Sequence, residues 1–298
     1  MLLQIHQRLL SRGFSSVRRP TPTPTLSSSR YVLPVDARAK FLRDGWAVLP
    51  KFLSKAELSP IATIYDEFMS GALYKRRGVD PKKDFCDMSQ PFDTPFSDWQ
   101  IVNAMLPRIY EPSLVNNIYE QRAADVAAQL FPDVEMVLDY DQLLNKRPHA
   151  TKGIFAWHQD SAYWPPVRDT RTVTLSLAID STTVENGALK FVSGSGVTKV
   201  LRPHKAVGKG RDDSHAIAVE VDEGPNAKEP IHFACINEGD VTIHDEYVVH
   251  GSGGNTSPGS RRTYVIAFRT KETVERERAA GFTHSHNGSV NWDSFKEW

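Results

Sequence analysis

The chain has 298 residues, enough to bury a full core, and strand-rich barrels of this length commonly form one domain. Lys plus Arg (36) balances Asp plus Glu (36), which gives no electrostatic case for a nucleic-acid partner, and no apolar run approaches the ~18 residues that cross a bilayer, so no membrane insertion is expected. Two cysteines, Cys86 and Cys235, lie far apart in no CxxC spacing, which argues against a disulfide scaffold or a structural zinc site and points to a reducing compartment.

Residues 1–30 differ in composition from the rest. They carry Arg8, Arg12, Arg18, Arg19 and Arg30 with many Ser and Thr, and no acidic residue precedes Asp36. This is transit-peptide composition and predicts a mitochondrial matrix address, with a plastid address as the lesser alternative. Thr21-Pro22-Thr23-Pro24-Thr25 and the serines after it read as a linker, because alternate prolines enter neither a helix nor a central strand. A single domain is expected over 31–298, with a helical part at 36–131, a strand-rich core at 134–270 and a C-terminal tail at 271–298.

Ser54-Lys55-Ala56-Glu57 is a capping-box sequence and predicts a helix carrying Leu58, Ile61, Ile64, Tyr65 and Phe68 on its apolar side. A second helix is predicted over 113–130, where Leu114, Ile118, Ala124, Ala127 and Leu130 recur with few breakers. Between them, 75–100 reads as a long irregular segment that lies over a site. From about 134 the period changes. Short β-rich runs at 137–144, 154–157, 173–179, 189–192, 231–236, 241–244 and 263–269 are separated by Gly, Asn, Asp and Pro clusters, and together they predict a sandwich or barrel.

The chemistry centres on Trp157-His158-Gln159-Asp160. In extended chain, residues i and i+2 face the same way, so His158 and Asp160 present an imidazole and a carboxylate to one point. His250, on a late strand and followed by Gly251-Ser252-Gly253, supplies a third ligand where glycines allow close backbone approach. Two His and one carboxylate on one face leave three positions free, the ligand set of non-haem Fe(II) oxygenases. Eleven residues after His250 stands Arg261, whose guanidinium suits the distal carboxylate of a keto diacid, and Ser252 adds a donor. Arg262 is the decoy, since neighbours on one strand face opposite ways.

At this point the chain resembles the phytanoyl-CoA dioxygenase family. The matching segments are Leu143-Leu144-Asn145-Lys146-Arg147-Pro148; Trp157-His158-Gln159-Asp160 through Pro165; Glu185-Asn186-Gly187-Ala188-Leu189 leading to Ser193-Gly194-Ser195; and His250-Gly251-Ser252-Gly253-Gly254-Asn255-Thr256-Ser257 through Arg261. The resemblance covers roughly 36–286 and implies a double-stranded β-helix, a jelly-roll or cupin-like core with flanking helices. It implies Fe(II) on His158, Asp160 and His250, 2-oxoglutarate anchored by Arg261 and Ser252, and O2 as co-oxidant. Gln142 and Phe155 would line the pocket, Ser176 would contact the cosubstrate, and Tyr163 and Trp164 would form the mouth. The implied reaction is hydroxylation of a small or acyl-type metabolite with release of succinate and CO2. Asp160 favours hydroxylation over halogenation, because related halogenases carry a small residue at that place. Gly196 departs from the family, many members of which have His there, and is expected not to affect iron.

His244-Asp245 reads as a support for the metal ligands, and His284-Ser285-His286 as a surface or lid feature. Lys205, Lys209 and Arg211 read as solvated loop charges. Two rivals remain: a cupin-type metalloenzyme without a keto acid, which has no need of Arg261, and a non-catalytic binding or sensor protein, which has no need to keep all three ligands.

Overall fold

The computed structural model describes residues 30–70, 72–77, 85–87, 89–91, 93–207, 216–284 and 292–295. The chain divides into two units, Met1–Arg30 and Tyr31–Trp298. The transit-peptide and linker readings lie outside the described residues.

The strands are β1 (Trp46–Leu49), β2 (Phe85–Cys86), β3 (Ile101–Met105), β4 (Met136–Lys146), β5 (Phe155–His158), β6 (Thr172–Ala178), β7 (Leu189–Val192), β8 (Lys205–Ala206), β9 (Ile217–Ala218), β10 (Ile231–Ala234), β11 (Val241–His244), β12 (His250–Ser252) and β13 (Arg261–Thr270). A large sheet runs β1-β11-β6-β13-β4-β3-β2, a smaller one β10-β7-β12-β5, and β8 pairs with β9 alone. From β4 onward the chain steps repeatedly from one sheet to the other. That path closes a double-stranded β-helix, the jelly-roll core expected from the motifs.

Strand alternation decides what the barrel encloses. On β6, Val173, Leu175 and Leu177 join the main apolar core together with Tyr264, Ile266 and Phe268 of β13. The intervening Thr172, Thr174 and Ser176 are buried on the opposite, inner face. The apolar face packs against helices, and the polar face lines the interior.

Helices Val35–Asp44, Lys55–Ser70 and Ile118–Leu130 bring Phe41, Ile61, Tyr65, Phe68, Tyr119 and Val126 to that core. The predicted capping box forms, with Ser54 N donating to Glu57 Oε2 at 2.8 Å and Glu57 N donating to Ser54 Oγ at 3.4 Å. The second helix begins five residues later than expected. Pro112–Leu114 is a 3-10 turn, Asn116 takes a positive φ of 58°, and Asn117 then caps the helix by accepting from Glu120 N at 3.0 Å. Tyr119 pins this helix to the sheet, its hydroxyl pointing at the carbonyls of Leu175 (3.0 Å) and Tyr264 (3.2 Å).

The helical reading of 36–131 is corrected in one respect: β1, β2 and β3 from this region extend the large sheet. β3 is buried on both faces along Ile101–Ala104, so it lacks the alternation that marks a half-buried strand.

Candidate active site

β5 ends at His158, and the chain turns into a short 3-10 segment at Asp160–Tyr163; His250 opens β12 directly opposite His158. The facing glycine makes this approach possible, since a Cβ on Gly251 would lie 2.9 Å from the Phe155 carbonyl oxygen. His158 Nε2 stands 3.3 Å and His250 Nε2 3.5 Å from the same Asp160 oxygen, Oδ1. Ligand atoms of the three residues all lie within 4.8 Å of one another. Each imidazole turns its Nδ1 to the carbonyl two residues back, Ala156 at 2.7 Å and Val248 at 3.0 Å. Nδ1 therefore carries the proton, and the Nε2 lone pairs converge on one point.

Burial drives the His250 imidazole down to about 3, against the pull of Asp160, so it stays neutral at physiological pH. Burial alone would raise the Asp160 carboxyl, but His250, His158 and His244 around it hold it well below the usual range. A neutral His250 imidazole and an ionised Asp160 carboxylate match the protonation state that a divalent metal requires.

His244 meets the second carboxylate oxygen, Asp160 Oδ2, at 3.2 Å. It supports the ligand rather than joining the set of three. Gln159, between two of those residues, is fully buried; its amide donates to Val200 O (3.0 Å) and Tyr247 O (2.7 Å) and accepts from Arg202 N (2.8 Å). Those bonds tie the segment before β8 to the His-x-Asp strand end.

His158, Asp160 and His250 line a cavity together with Gln142, Phe155, Ser176 and Arg261. Arg261 is 2% exposed, and among the described residues its guanidinium has no ion-pair partner and its Nε no hydrogen-bond partner. Burial pulls it down to about 10, with Tyr65 and Asp180 opposing. Ser252 Oγ is likewise buried without a partner, though Ser252 is not among the cavity's lining residues. Arg262 faces the other way, donating to Asp180 Oδ1 (2.7 Å) and Oδ2 (2.9 Å) and to Asp66 (2.5 Å). A buried cation lacking an anion in a cavity that also holds the three convergent ligands fits an anionic group chelated to a metal.

The mouth residues are placed differently from expectation. Tyr163 and Trp164 do not line the cavity. The turn at 160–163 sends the Tyr163 ring edge-on to His158, with its hydroxyl accepting from Ile217 N at 3.2 Å, and packs Trp164 on Tyr140 at 5.6 Å. Tyr140 is the aromatic wall that sequence reading missed; its alternation with Gln142 along β4 was the available signal. Gly196 has no room for the family's histidine, since a Cβ there would meet Val248 N at 2.7 Å.

His284 is corrected from a surface feature to a buried one. Its Nε2 lies 2.9 Å from Asp139 Oδ2, and its side chain is 4% exposed. His286 lies outside the described residues. Asp139, Glu277 and His284 come within metal-ligand reach of one another, but Arg269 (2.7 Å from Glu277) and Arg278 (2.5 Å from Asp139) already neutralise both carboxylates. The group is an ion-pair network. Lys205 pairs with Glu220 at 2.7 Å in solvent, while Lys209 and Arg211 lie outside the described residues.

Comparison with known proteins agrees with this geometry. The chain is 28% identical over 169 residues to a protein of Stutzerimonas stutzeri named "Probable alpha-ketoglutarate-dependent hypophosphite dioxygenase", covering 54% of each chain. It is 31% identical over 111 residues to the phytanoyl-CoA dioxygenase domain-containing protein 1 homolog of Dictyostelium discoideum, 37% of this chain and 39% of that one. The matches thus span about half or less of these relatives' lengths. The crystal structure of EvdO2 from Micromonospora carbonacea var. aurantiaca with 2-oxoglutarate superposes with a TM-score of 0.62 at 21% identity, over 81% of this chain and 93% of that one, and shows the shared fold. The profile of the phytanoyl-CoA dioxygenase family (PhyH) matches residues 41–263, most of the folded unit, and the chain belongs to that family.

Proposed function

We propose that the chain is an Fe(II)- and 2-oxoglutarate-dependent dioxygenase that hydroxylates a small molecule and releases succinate and CO2. The observation that carries this reading is Arg261, buried without an ionic partner in the cavity that holds His158, Asp160 and His250. A keto-acid-independent metalloenzyme has no use for such a cation, and leaving it unpaired is costly.

His158 Nε2, His250 Nε2 and Asp160 Oδ1 would hold the iron on one face, and Arg261 with Ser252 would take the distal carboxylate of 2-oxoglutarate past Gln142, Phe155 and Ser176. Together these cofactors supply the oxidising power for O2 activation. The chain's own part is to hold, orient and exclude. His244 fixes the free oxygen of Asp160, so that carboxylate binds in one orientation. Gly251 lets β12 close on β5 and sets the spacing of the two imidazoles.

Anaerobic titration of apo-protein with Fe(II) and then 2-oxoglutarate is expected to produce the weak visible band of a chelated keto acid, and His158→Ala to abolish it. Iron binding without that band would favour the cupin-type rival, and no iron binding a non-catalytic protein. For localisation we propose mitochondrial import, supported by the arginines and absent acids of residues 1–30. A fluorescent protein fused to residues 1–30 is expected to enter mitochondria; a cytosolic or plastid signal would refute it.

A further inference from the structure

Arg261 has a second buried cation beside it. In the pairing of β13 with β4 it lies directly opposite Lys146, and opposed residues of an antiparallel pair send their side chains to the same face with Cβ atoms about 5 Å apart. That face is the inner one, because Gln142 and Leu144, earlier on β4 in the same alternation, both line the cavity. Lys146 is 1% exposed. Its Nζ donates to the Gly153 carbonyl just before β5 at 2.6 Å and to the Gly253 carbonyl just after β12. It stands 5.2 Å from the centre of the Phe155 ring, which also lines the cavity. Gly187 leaves the lysine stem its room: a Cβ there would lie 3.1 Å from Lys146 Cδ and closer still to the Gly253 carbonyl oxygen.

Neutral acceptors hold this nitrogen. Two carbonyl oxygens serve an amine and an ammonium alike, since either form has two N–H groups to give. Among the described residues no carboxylate makes an ion pair with Lys146. Burial, and next the like charge of Arg261, hold its ammonium well below the ordinary lysine range; Asp87, directly after β2, opposes them, and Lys190 on β7 adds to them. Asp87 is itself occupied, accepting from the N–H groups of Ser89, Gln100 and Ile101. Like charges directly opposite each other on paired strands are costly, the more so when both are buried without an anion. The amine form of Lys146 is therefore favoured while Arg261 stands alone. A carboxylate seated on Arg261 cancels that repulsion and adds negative charge nearby, which turns the balance to the ammonium.

We propose that Lys146 is a second cation of the cosubstrate site, charged only in the complex: a dicarboxylic keto acid arriving at Arg261 brings one proton from solvent onto the Lys146 amine, and its departure releases that proton. This rests on the oxygenase reading above. No bond to carbon forms or breaks; the nitrogen lone pair takes the proton and later returns it. The sign of the linkage follows. Because the complex holds the extra proton, 2-oxoglutarate binds more tightly at lower pH, and its Kd rises by up to about tenfold per pH unit between the proton affinities of free and complexed Lys146. A keto acid without a distal carboxylate does not reach Arg261 and draws no proton.

The test is anaerobic calorimetric titration of the full chain loaded with Mn(II), using 2-oxoglutarate and, separately, 2-oxobutyrate, in buffers of different ionisation enthalpy from about pH 6.5 to 9.5. Net uptake approaching one proton per 2-oxoglutarate is expected within that range, and none with 2-oxobutyrate. In Lys146→Gln, whose amide keeps two N–H groups for Gly153 and Gly253, the uptake is expected to vanish and the Kd to lose its pH dependence; Lys146→Met serves if that variant does not fold. Absence of uptake with 2-oxoglutarate at every pH overturns the proposal. Equal uptake with 2-oxobutyrate does the same by placing the proton at the metal, and uptake that survives in a folded variant by placing it on another group. Failure of 2-oxoglutarate to bind the metal-loaded chain at all removes the oxygenase reading, and this proposal with it.

Discussion

At the scale of the residue, Arg261 and His244 carry the sharpest expectations. Arg261 is a buried charge whose partner is the proposed cosubstrate, so the same side chain has opposite effects on apo-protein and complex. Arg261→Ala should cost about 2–5 kcal/mol of 2-oxoglutarate binding, raising the requirement roughly 30-fold or more while leaving metal content unchanged. Arg261→Met removes the unpaired cation and should raise the apo-protein's Tm, yet abolish any further rise on adding 2-oxoglutarate. A lower Tm for that apo variant would mean the cation already has a partner. For His244, whose Nε2 meets Asp160 Oδ2 at 3.2 Å, substitution by Ala should weaken Fe(II) binding about 10–100-fold by competition titration. Unchanged iron affinity would show that Asp160 is oriented without it.

At the scale of the element, the helix Ile118–Leu130 and the strand β4 show how local features hold the barrel. Tyr119 joins that helix to β6 and β13 through one fully buried hydroxyl. Tyr119→Phe should destabilise by about 1–2 kcal/mol in urea unfolding with no change in slope, since the ring still fills its place in the core. A negligible change would show that the hydrogen bonds to two strand carbonyls add nothing beyond packing. The capping box of Lys55–Ser70 was readable from four residues, because both of its bonds are local. The bulge at Asp139 was not. It depends on how β4 meets β13, a strand more than a hundred residues away.

At the scale of the molecule, charge is buried where the C-terminal helix Lys271–Ala279 closes on the barrel. Burial raises Glu246 to about 8 and Glu277 to about 7, with Arg269 opposing in both. Glu246 Oε2 stands 3.6 Å from Arg269 Nε, and neither of its carboxylate oxygens has a hydrogen bond among the described residues. These are acids raised on folding, so the folded state binds more protons than the unfolded chain between the ordinary carboxylate range and pH 7–8. Their contribution is present at low pH and is lost as pH rises through the folded values. The depressed His250 acts in the opposite direction below its ordinary value, so the comparison must isolate the acids. The double variant Glu246→Gln, Glu277→Gln should gain stability relative to wild type as pH rises from about 5 to 8.5, measured by urea unfolding. A pH-independent difference would place both carboxyls in the ordinary range.

What the sequence determined by itself was whatever depends on neighbours in the chain or on chemistry that few residue types supply. His158 and Asp160 share a face through two-residue spacing, the glycine after His250 marks close strand approach, and strand runs from 137 onward announce a β core. The opposite faces of Arg261 and Arg262 follow from the pleat alone. Only the tertiary structure decided which side chains the cavity includes. It placed Tyr140 in the wall and turned Tyr163 and Trp164 away, because a 3-10 turn reorients the chain after Asp160. It also drew His284 from an apparently exposed tail onto Asp139, since long-range ion pairs leave no period in the sequence. Local spacing fixes direction along one strand, whereas cavity membership depends on the register between strands and on the segments that close over them.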